Sequence, residues 1–247
     1  MISAAFLPFY GLMGAVVGSY VTTAALRAVT DDAASGHRSR CDGCHRPLSF
    51  VETLPVASYA MLRGRCGVCA ARIDPLHPIG ESAGLLTGLA IGLAAPDWRG
   101  ALIALLASAL LASAVIDART RILPDLLTLV VGIAGFSLAL LHGFERVFLG
   151  VCAALLSTLI LLGLRRAFLI WRRDPGLGLG DVKLFAALSL WLGLAAPWML
   201  VGAAALGLST IAIRGTSDGK IAFGPMIAIA GLLVGLWTET GLWPALS

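Results

Sequence analysis

GALIALLASALLASAVI (Gly100–Ile116) runs without a single charge into DARTR (Asp117–Arg121). A helix of this length, apolar on every face, can cross the roughly 30 Å hydrocarbon core of a bilayer. The abrupt return of arginine marks where such a crossing would end. Composition carries the same message: 58% of the 247 residues are hydrophobic and 13% are charged, against about 25% charged in soluble domains. An ordinary globular fold is excluded, and an all-α, polytopic membrane protein is expected.

Working outward from that run, eight apolar spans emerge: Ala4–Leu26, Pro78–Ala95, Gly100–Ile116, Asp125–Leu141, Val147–Leu164, Val182–Ala196, Trp198–Ile213 and Ala222–Leu242. The first lacks a basic leader and a small-residue cleavage site, so it reads as a retained helix rather than a signal peptide. Sixteen of the eighteen lysines and arginines fall in the loops after spans one, three, five and seven. Only Arg99 and Arg146 lie on the other side. By the positive-inside rule those four loops are cytoplasmic and both termini lie outside. The expected organisation is a first transmembrane helix (1–26), a cytoplasmic loop domain (27–77) and a membrane-embedded remainder (78–247).

The loop domain carries Cys41-Asp-Gly-Cys44 and, after 21 residues, Cys66-Gly-Val-Cys69. Two CxxC turns aim four sulfurs at one ion, the pattern of a closed, structural zinc site. Two disulfides or four incidental thiols are the competing readings, and cytoplasmic placement argues against disulfides. His37, His45 and His77 are nearby spare nitrogens, read as solvated or capping residues. Cys152, inside span five, reads as a small buried apolar residue.

Two acids stand out against this hydrocarbon background. Asp117 closes span three, and Asp181 opens span six within Gly176-Leu-Gly-Leu-Gly-Asp-Val-Lys183. The topology brings both to the cytoplasmic face. An ionisable residue at a membrane segment is costly, so it signals function by default. A pair of carboxyls can share a proton, one activating water while the other protonates a peptide carbonyl. Gly178 and Gly180 lack a Cβ and would leave room for substrate backbone beside Lys183. Helix dipoles suggest Asp181 as the ionised base and Asp117 as the acid. Asp125, after Pro124, reads as an ordinary helix start, Glu81 as a cap or a partner of a loop arginine, and Glu239 as an interfacial acid.

Taken together, the motifs resemble those of the bacterial type IV prepilin peptidases, bifunctional leader peptidase/N-methyltransferases of type IV pilus and type II secretion systems. The resemblance rests on Gly18-Ser-Tyr20, Arg38-Ser-Arg-Cys-x-x-Cys44, Leu54-Pro-Val-x-Ser-Tyr59, Leu62-Arg-Gly-Arg-Cys-x-x-Cys69, His77-Pro-Ile-x-Glu81, Asp117-Ala-Arg-Thr-Arg-Ile-Leu-Pro-Asp125, Gly178-x-Gly-Asp-x-Lys183 and Phe223-Gly-Pro225. It spans nearly the whole chain. It implies that Asp117 and Asp181 are catalytic, that Cys41, Cys44, Cys66 and Cys69 bind zinc, and that the substrates are prepilins or pseudopilins with a basic leader. It also implies residence in the bacterial inner membrane, S-adenosylmethionine as methyl donor, and no nucleic-acid partner.

One departure concerns the methyl transfer. Similar proteins carry asparagine where this chain has Thr22, which removes an amide donor and acceptor. Peptidase activity without methylation is therefore a live alternative. A non-enzymatic zinc-ribbon assembly factor and a proton-coupled transporter are the rivals from other classes; against the transporter, both acids sit at one face and no inverted repeat is visible.

Overall fold

A computed structural model describes residues 6–30, 39–173, 176–214 and 221–241. Eight long helices occupy the eight apolar runs. They are α1 (Leu7–Val29), α3 (Leu76–Ala94), α4 (Trp98–Thr120), α5 (Asp125–Leu141), α6 (Phe144–Arg172), α7 (Leu179–Leu192), α8 (Ala196–Arg214) and α9 (Gly224–Glu239), with a short α2 (Ala57–Met61) in the loop domain. No strand occurs among the described residues, only two isolated bridges. Four helical stretches are long and apolar enough to cross a membrane: Leu7–Val29, Trp98–Thr120, Phe144–Trp171 and Leu179–Ile213. The last joins α7 to α8 through a 3-10 turn at Gly193–Ala195. With 14 residues, α7 is about 21 Å long at 1.5 Å per residue and too short to span a bilayer by itself.

The chain divides into two compact units, residues 1–93 and 94–247. In the first, α1 packs against α3 through glycines on both faces. A Cβ placed on Gly14 would lie 2.9 Å from the Gly88 Cα and collide with the Gly84 carbonyl; one on Gly84 would lie 2.9 Å from the Gly18 Cα. In hydrocarbon, where burial of apolar surface does not favour protein over lipid, such close backbone approach is what holds helices together.

In the second unit α7 is the centre, packed by α5, α6 and α9. Its Leu184, Leu188, Trp191 and Leu192 are buried. By contrast α6 turns Leu155, Leu156 and Leu159 outward, each at least 60% exposed. Such a surface suits lipid, not water. Cys152 is likewise exposed on α6 rather than buried; on this helix the outside is itself apolar, so exposure costs a thiol nothing.

Glu239 departs from its expected interfacial role. Its side chain is 2% exposed and accepts the Trp191 indole N–H at 3.0 Å. His142 Nε2 lies 3.1 Å from one of its oxygens and the Arg99 guanidinium 3.7 Å from the other. The acid at the end of α9 thus ties together α4, α7 and the turn after α5.

Candidate active site and metal centre

Helix α4 continues through Asp117 to Thr120, a turn further than the apolar run. Asp117 thus lies in the last turn of the helix and is 4% exposed. Arg121 stops the helix in the left-handed region with φ 58°, its N–H donating to the Asp117 carbonyl at 2.8 Å. The short link that follows carries buried Leu123 into α5.

Asp181 occupies the first turn of α7 and reaches back, accepting the Gly178 N–H at 3.2 Å. This satisfies one of the donors that every helix start leaves free. The glycines of this stretch do different jobs. Gly176, at φ +64°, needs the left-handed region and lies against the Phe168 ring. Gly178 and Gly180 have ordinary φ and serve close approach: a Cβ on Gly178 would sit 2.8 Å from Asp181 Oδ2, and one on Gly180 would sit 2.9 Å from Leu123 Cβ. The Arg165 guanidinium, from α6, donates to the Leu177 carbonyl and fastens the approach to α7.

A third element completes the site. The N–H of Gly224, first residue of α9, donates to Asp117 Oδ2 at 3.0 Å in a buried setting. A Cβ at Gly224 would lie 2.8 Å from that same oxygen and 3.1 Å from Leu123 Cδ2. Leu123 therefore touches both glycines beside the two acids. Sequence reasoning missed Gly224 as a site residue, although Phe223-Gly-Pro225 was the visible signal. Besides the C-terminus of its own helix, Asp117 meets the N-terminus of α9 and its partial positive charge. Each acid thus has one backbone donor from a helix start.

Lys183 points elsewhere. Its ammonium pairs with Asp125 at 2.8 and 3.0 Å, with both side chains exposed. Asp125 thus sits in the first turn of α5, as a helix-start acid should, and also links α5 to α7.

In the first unit the two CxxC turns fold alike. Bridges Arg40–Pro47 and Arg65–Arg72 bracket them. His45 and Ala70, each one residue past the second cysteine, turn left-handed at φ 56° and 57°. Gly43 interlocks the turns, since a Cβ there would meet Ala71 Cβ at 2.6 Å. The sulfurs of Cys41, Cys44, Cys66 and Cys69 lie within 4.8 Å of one another, placed to hold one metal ion. None of the four is joined to another by a disulfide in the structure. Backbone N–H groups of Cys69 and Val68 bring the Cys66 thiol down to about 6, while burial and hydrogen bonds among the neighbouring sulfurs outweigh the Ala71 N–H and push Cys69 up to about 11, so the cluster favours one thiolate next to a retained proton. Arg46 donates to Cys66 Sγ at 3.8 Å and pairs with Glu52. Hydrogen bonds from Arg46, then from the Ser49 N–H and hydroxyl, hold the Glu52 carboxyl down to about 2. His45 and His77 stand outside the sulfur cluster, His77 lying 3.5 Å from the Thr23 hydroxyl. His37 falls outside the described residues.

Glu81 is neither a cap nor an arginine partner. It is buried and accepts the Ser19 hydroxyl and the Val56 N–H, each at 2.7 Å.

Comparison with known proteins adds the following. A model of the bacterial peptidase A24 N-terminal domain matches residues 12–95, and a model of the type IV leader peptidase family matches residues 104–215. The chain is 39% identical over 212 residues to a prepilin leader peptidase/N-methyltransferase of Aeromonas hydrophila, covering 82% of this chain and 72% of that protein. It is 31% identical over 216 residues to the protein so named in Neisseria gonorrhoeae, covering 83% and 74%. For the Burkholderia pseudomallei (strain 1026b) protein of that name, identity is 37% over 203 residues, 78% of this chain and 65% of the relative. No solved structure matches.

Proposed function

The chain belongs to the type IV leader peptidase family, and we propose that it is a membrane aspartic endopeptidase that removes the basic leader from type IV prepilins or type II secretion pseudopilins. One observation carries the reading: Leu123 lies against both Gly180, next to Asp181, and Gly224, whose N–H bonds Asp117, so that the end of α4 and the starts of α7 and α9 converge around the two acids, each with one backbone donor. Two carboxyls brought together in this way share a proton. The ionised member activates a water for attack on the scissile carbonyl, and the neutral member protonates that carbonyl's oxygen. Gly178 and Gly180 lie beside this pair, packed against Asp181 and Leu123, whereas Lys183 is held away from it on Asp125. Because both acids receive a helix N-terminus, substrate approach rather than the dipoles decides which is base and which is acid.

In this reading all eight long helices cross or enter the bacterial inner membrane, with both termini outside and the aspartates at the cytoplasmic face. The arginine-rich loops support that orientation. Residues 27–77 form a cytoplasmic domain between the first helix and the peptidase helices. It holds a structural Zn2+ on Cys41, Cys44, Cys66 and Cys69. Tetrahedral zinc with Zn–S bonds of about 2.3 Å has sulfur–sulfur edges of about 3.8 Å, and Cys41 and Cys69 lie 3.7 Å apart. Four thiolates leave no open position for a hydrolytic water, so the metal supports folding while the aspartates cut.

A second activity, N-methylation of the new N-terminus from S-adenosylmethionine, is favoured by the relatives, which are prepilin leader peptidase/N-methyltransferases. The deciding experiment is cleavage of a purified prepilin by full-length protein in lipid nanodiscs, comparing wild type with Asp117→Asn and Asp181→Asn. Each substitution should abolish cleavage while leaving the melting temperature unchanged. Near-wild-type cleavage by either variant removes the dyad.

A further inference from the structure

The two CxxC turns match bond for bond. In the first, the Cys41 N–H donates to the Arg46 carbonyl at 3.0 Å and the His45 N–H to the Cys41 carbonyl at 2.9 Å. In the second, the Cys66 N–H donates to the Ala71 carbonyl at 2.8 Å and the Ala70 N–H to the Cys66 carbonyl at 3.0 Å. The sulfur of each leading cysteine accepts from the N–H two residues on, Gly43 for Cys41 and Val68 for Cys66. Arg46 and Ala71 therefore occupy the same position, and there the match fails. Ala71 is small and lies against Gly43, where a Cβ would meet its own at 2.6 Å. Arg46 instead leaves its turn and reaches the other one, donating to Cys66 Sγ at 3.8 Å.

That reach is fixed from behind. The same guanidinium donates to both oxygens of Glu52, with one bond at 3.0 Å. Glu52 is itself held by the Ser49 N–H and hydroxyl, each at 2.9 Å. The Arg46 and Glu52 side chains are 27% and 15% exposed. In this pose the Arg46 Nε–H is buried without a partner, a cost that an arginine turned to water would avoid. What the pose supplies is a charged donor at a sulfur. Four thiolates around a divalent ion leave the site with a net negative charge. Donors to ligating groups orient those groups and tune their hold on the metal, and a charged donor does so more strongly than a neutral one.

We propose that Arg46 is an outer-sphere positioning residue of the metal centre: its guanidinium orients the Cys66 sulfur and offsets the charge of the four thiolates, while Glu52 fixes the guanidinium. The inference rests on the metal-binding reading of the four cysteines and not on the aspartates. It makes the two halves of the site unequal, because the matching residue of the second turn, Ala71, has no side-chain donor to give.

The test uses full-length protein in nanodiscs carrying Arg46→Met, Arg46→Lys or Glu52→Gln. Methionine keeps an apolar stem without charge or donor; lysine keeps the charge without the fork that serves Glu52 and the sulfur together. Three quantities are read: metal content by elemental analysis, zinc affinity by competition with a chromophoric chelator, and the sulfur-to-metal charge-transfer band of the cobalt(II)-substituted protein. Arg46→Met should bind zinc about 10- to 100-fold more weakly and shift the cobalt band, because the Cys66 sulfur has lost its cationic donor. Arg46→Lys should fall between that variant and wild type in both readouts, and Glu52→Gln should shift the band in the same direction by less. The proposal is overturned if Arg46→Met holds zinc within about twofold of wild type with an unmoved band. It is equally overturned if affinity falls while the band stays in place, as a strap that never acts on the sulfur would require. Should Arg46→Met take up no metal, the other two variants decide, and wild-type affinity and band in both overturn the proposal. A wild type that carries no metal removes the metal-binding reading and this inference with it, and prepilin cleavage by that protein would leave the peptidase reading standing.

Discussion

Replacing Gly224 by alanine isolates the contribution of α9 to the site. The added methyl would lie 2.8 Å from Asp117 Oδ2 and 3.1 Å from Leu123 Cδ2. Asp117 is held between that methyl and its own helix, so the carboxyl must shift and its 3.0 Å bond from the Gly224 N–H must lengthen or break. A hydrogen bond to a charged group is worth about 1.5–3 kcal/mol, which corresponds to roughly 10- to 150-fold in rate. Misplacement of a reacting group by an ångström costs about 100-fold on independent grounds, so a loss of one to two orders of magnitude in kcat is expected. Fold stability should also fall, by about 1–3 kcal/mol, because the methyl crowds buried Asp117 and Leu123, so kcat is compared under conditions where the variant remains folded. The assay is prepilin cleavage in nanodiscs with kcat and KM measured separately, alongside thermal unfolding. Gly224→Ala protein that is folded in the assay and keeps kcat within twofold would refute the assigned role of this N–H.

Three further outcomes follow from the packing. Exhaustive chelation should remove one zinc per chain by elemental analysis and unfold the CxxC turns, exposing residues 41–72 to protease, because so small a loop draws its folding free energy from the metal. Gly84→Val would drive side-chain atoms into the Gly14 carbonyl and the Gly18 Cα; overpacking of this kind costs about 1–3 kcal/mol, to be read as a lower melting temperature. Glu239→Ala leaves the Trp191 indole without its acceptor and the cations around it unbalanced. Removing one partner of such a buried network costs about 3–5 kcal/mol, measurable by chemical unfolding in detergent.

The helices were legible because hydrocarbon imposes a simple rule on sequence: long apolar runs broken by arginine. That Asp117 and Asp181 each sit at the end of such a run was legible too, as costly charges where apolar sequence stops. Other features were not. Gly224 acts through its backbone N–H, and a backbone donor has no side-chain letter to betray it. Glu239 looked interfacial because an acid near the outer end of a span normally is; only the fold brings Trp191, His142 and Arg99 to it, from positions up to 140 residues away. Glu81 was noticed, but its partners, a serine one helix away and a valine N–H, could not be read from any spacing. The left-handed turns at His45 and Ala70 lacked the usual glycine, so the twin geometry of the two CxxC turns was visible only in their cysteines.

These missed contacts share a physical cause. Between helices in lipid, apolar contact alone does not select one neighbour or one register, since lipid tails are as apolar as leucine. Polar links must do so. Helix α9 has them at both ends: the Gly224 N–H on Asp117 of α4, and Glu239 on Trp191 of α7 with Arg99 at the start of α4. The two anchors are 15 residues apart along one helix, about 22 Å at 1.5 Å per residue. Asp117 and Arg99 bracket almost all of α4, so α9 is clamped alongside α4 over its length while α7 is caught at its far end. A rigid rod fixed at both ends cannot slide. The buried cluster around Glu239 thus holds the register that lets the Gly224 N–H meet Asp117, although it lies at the opposite end of the helices from the acids.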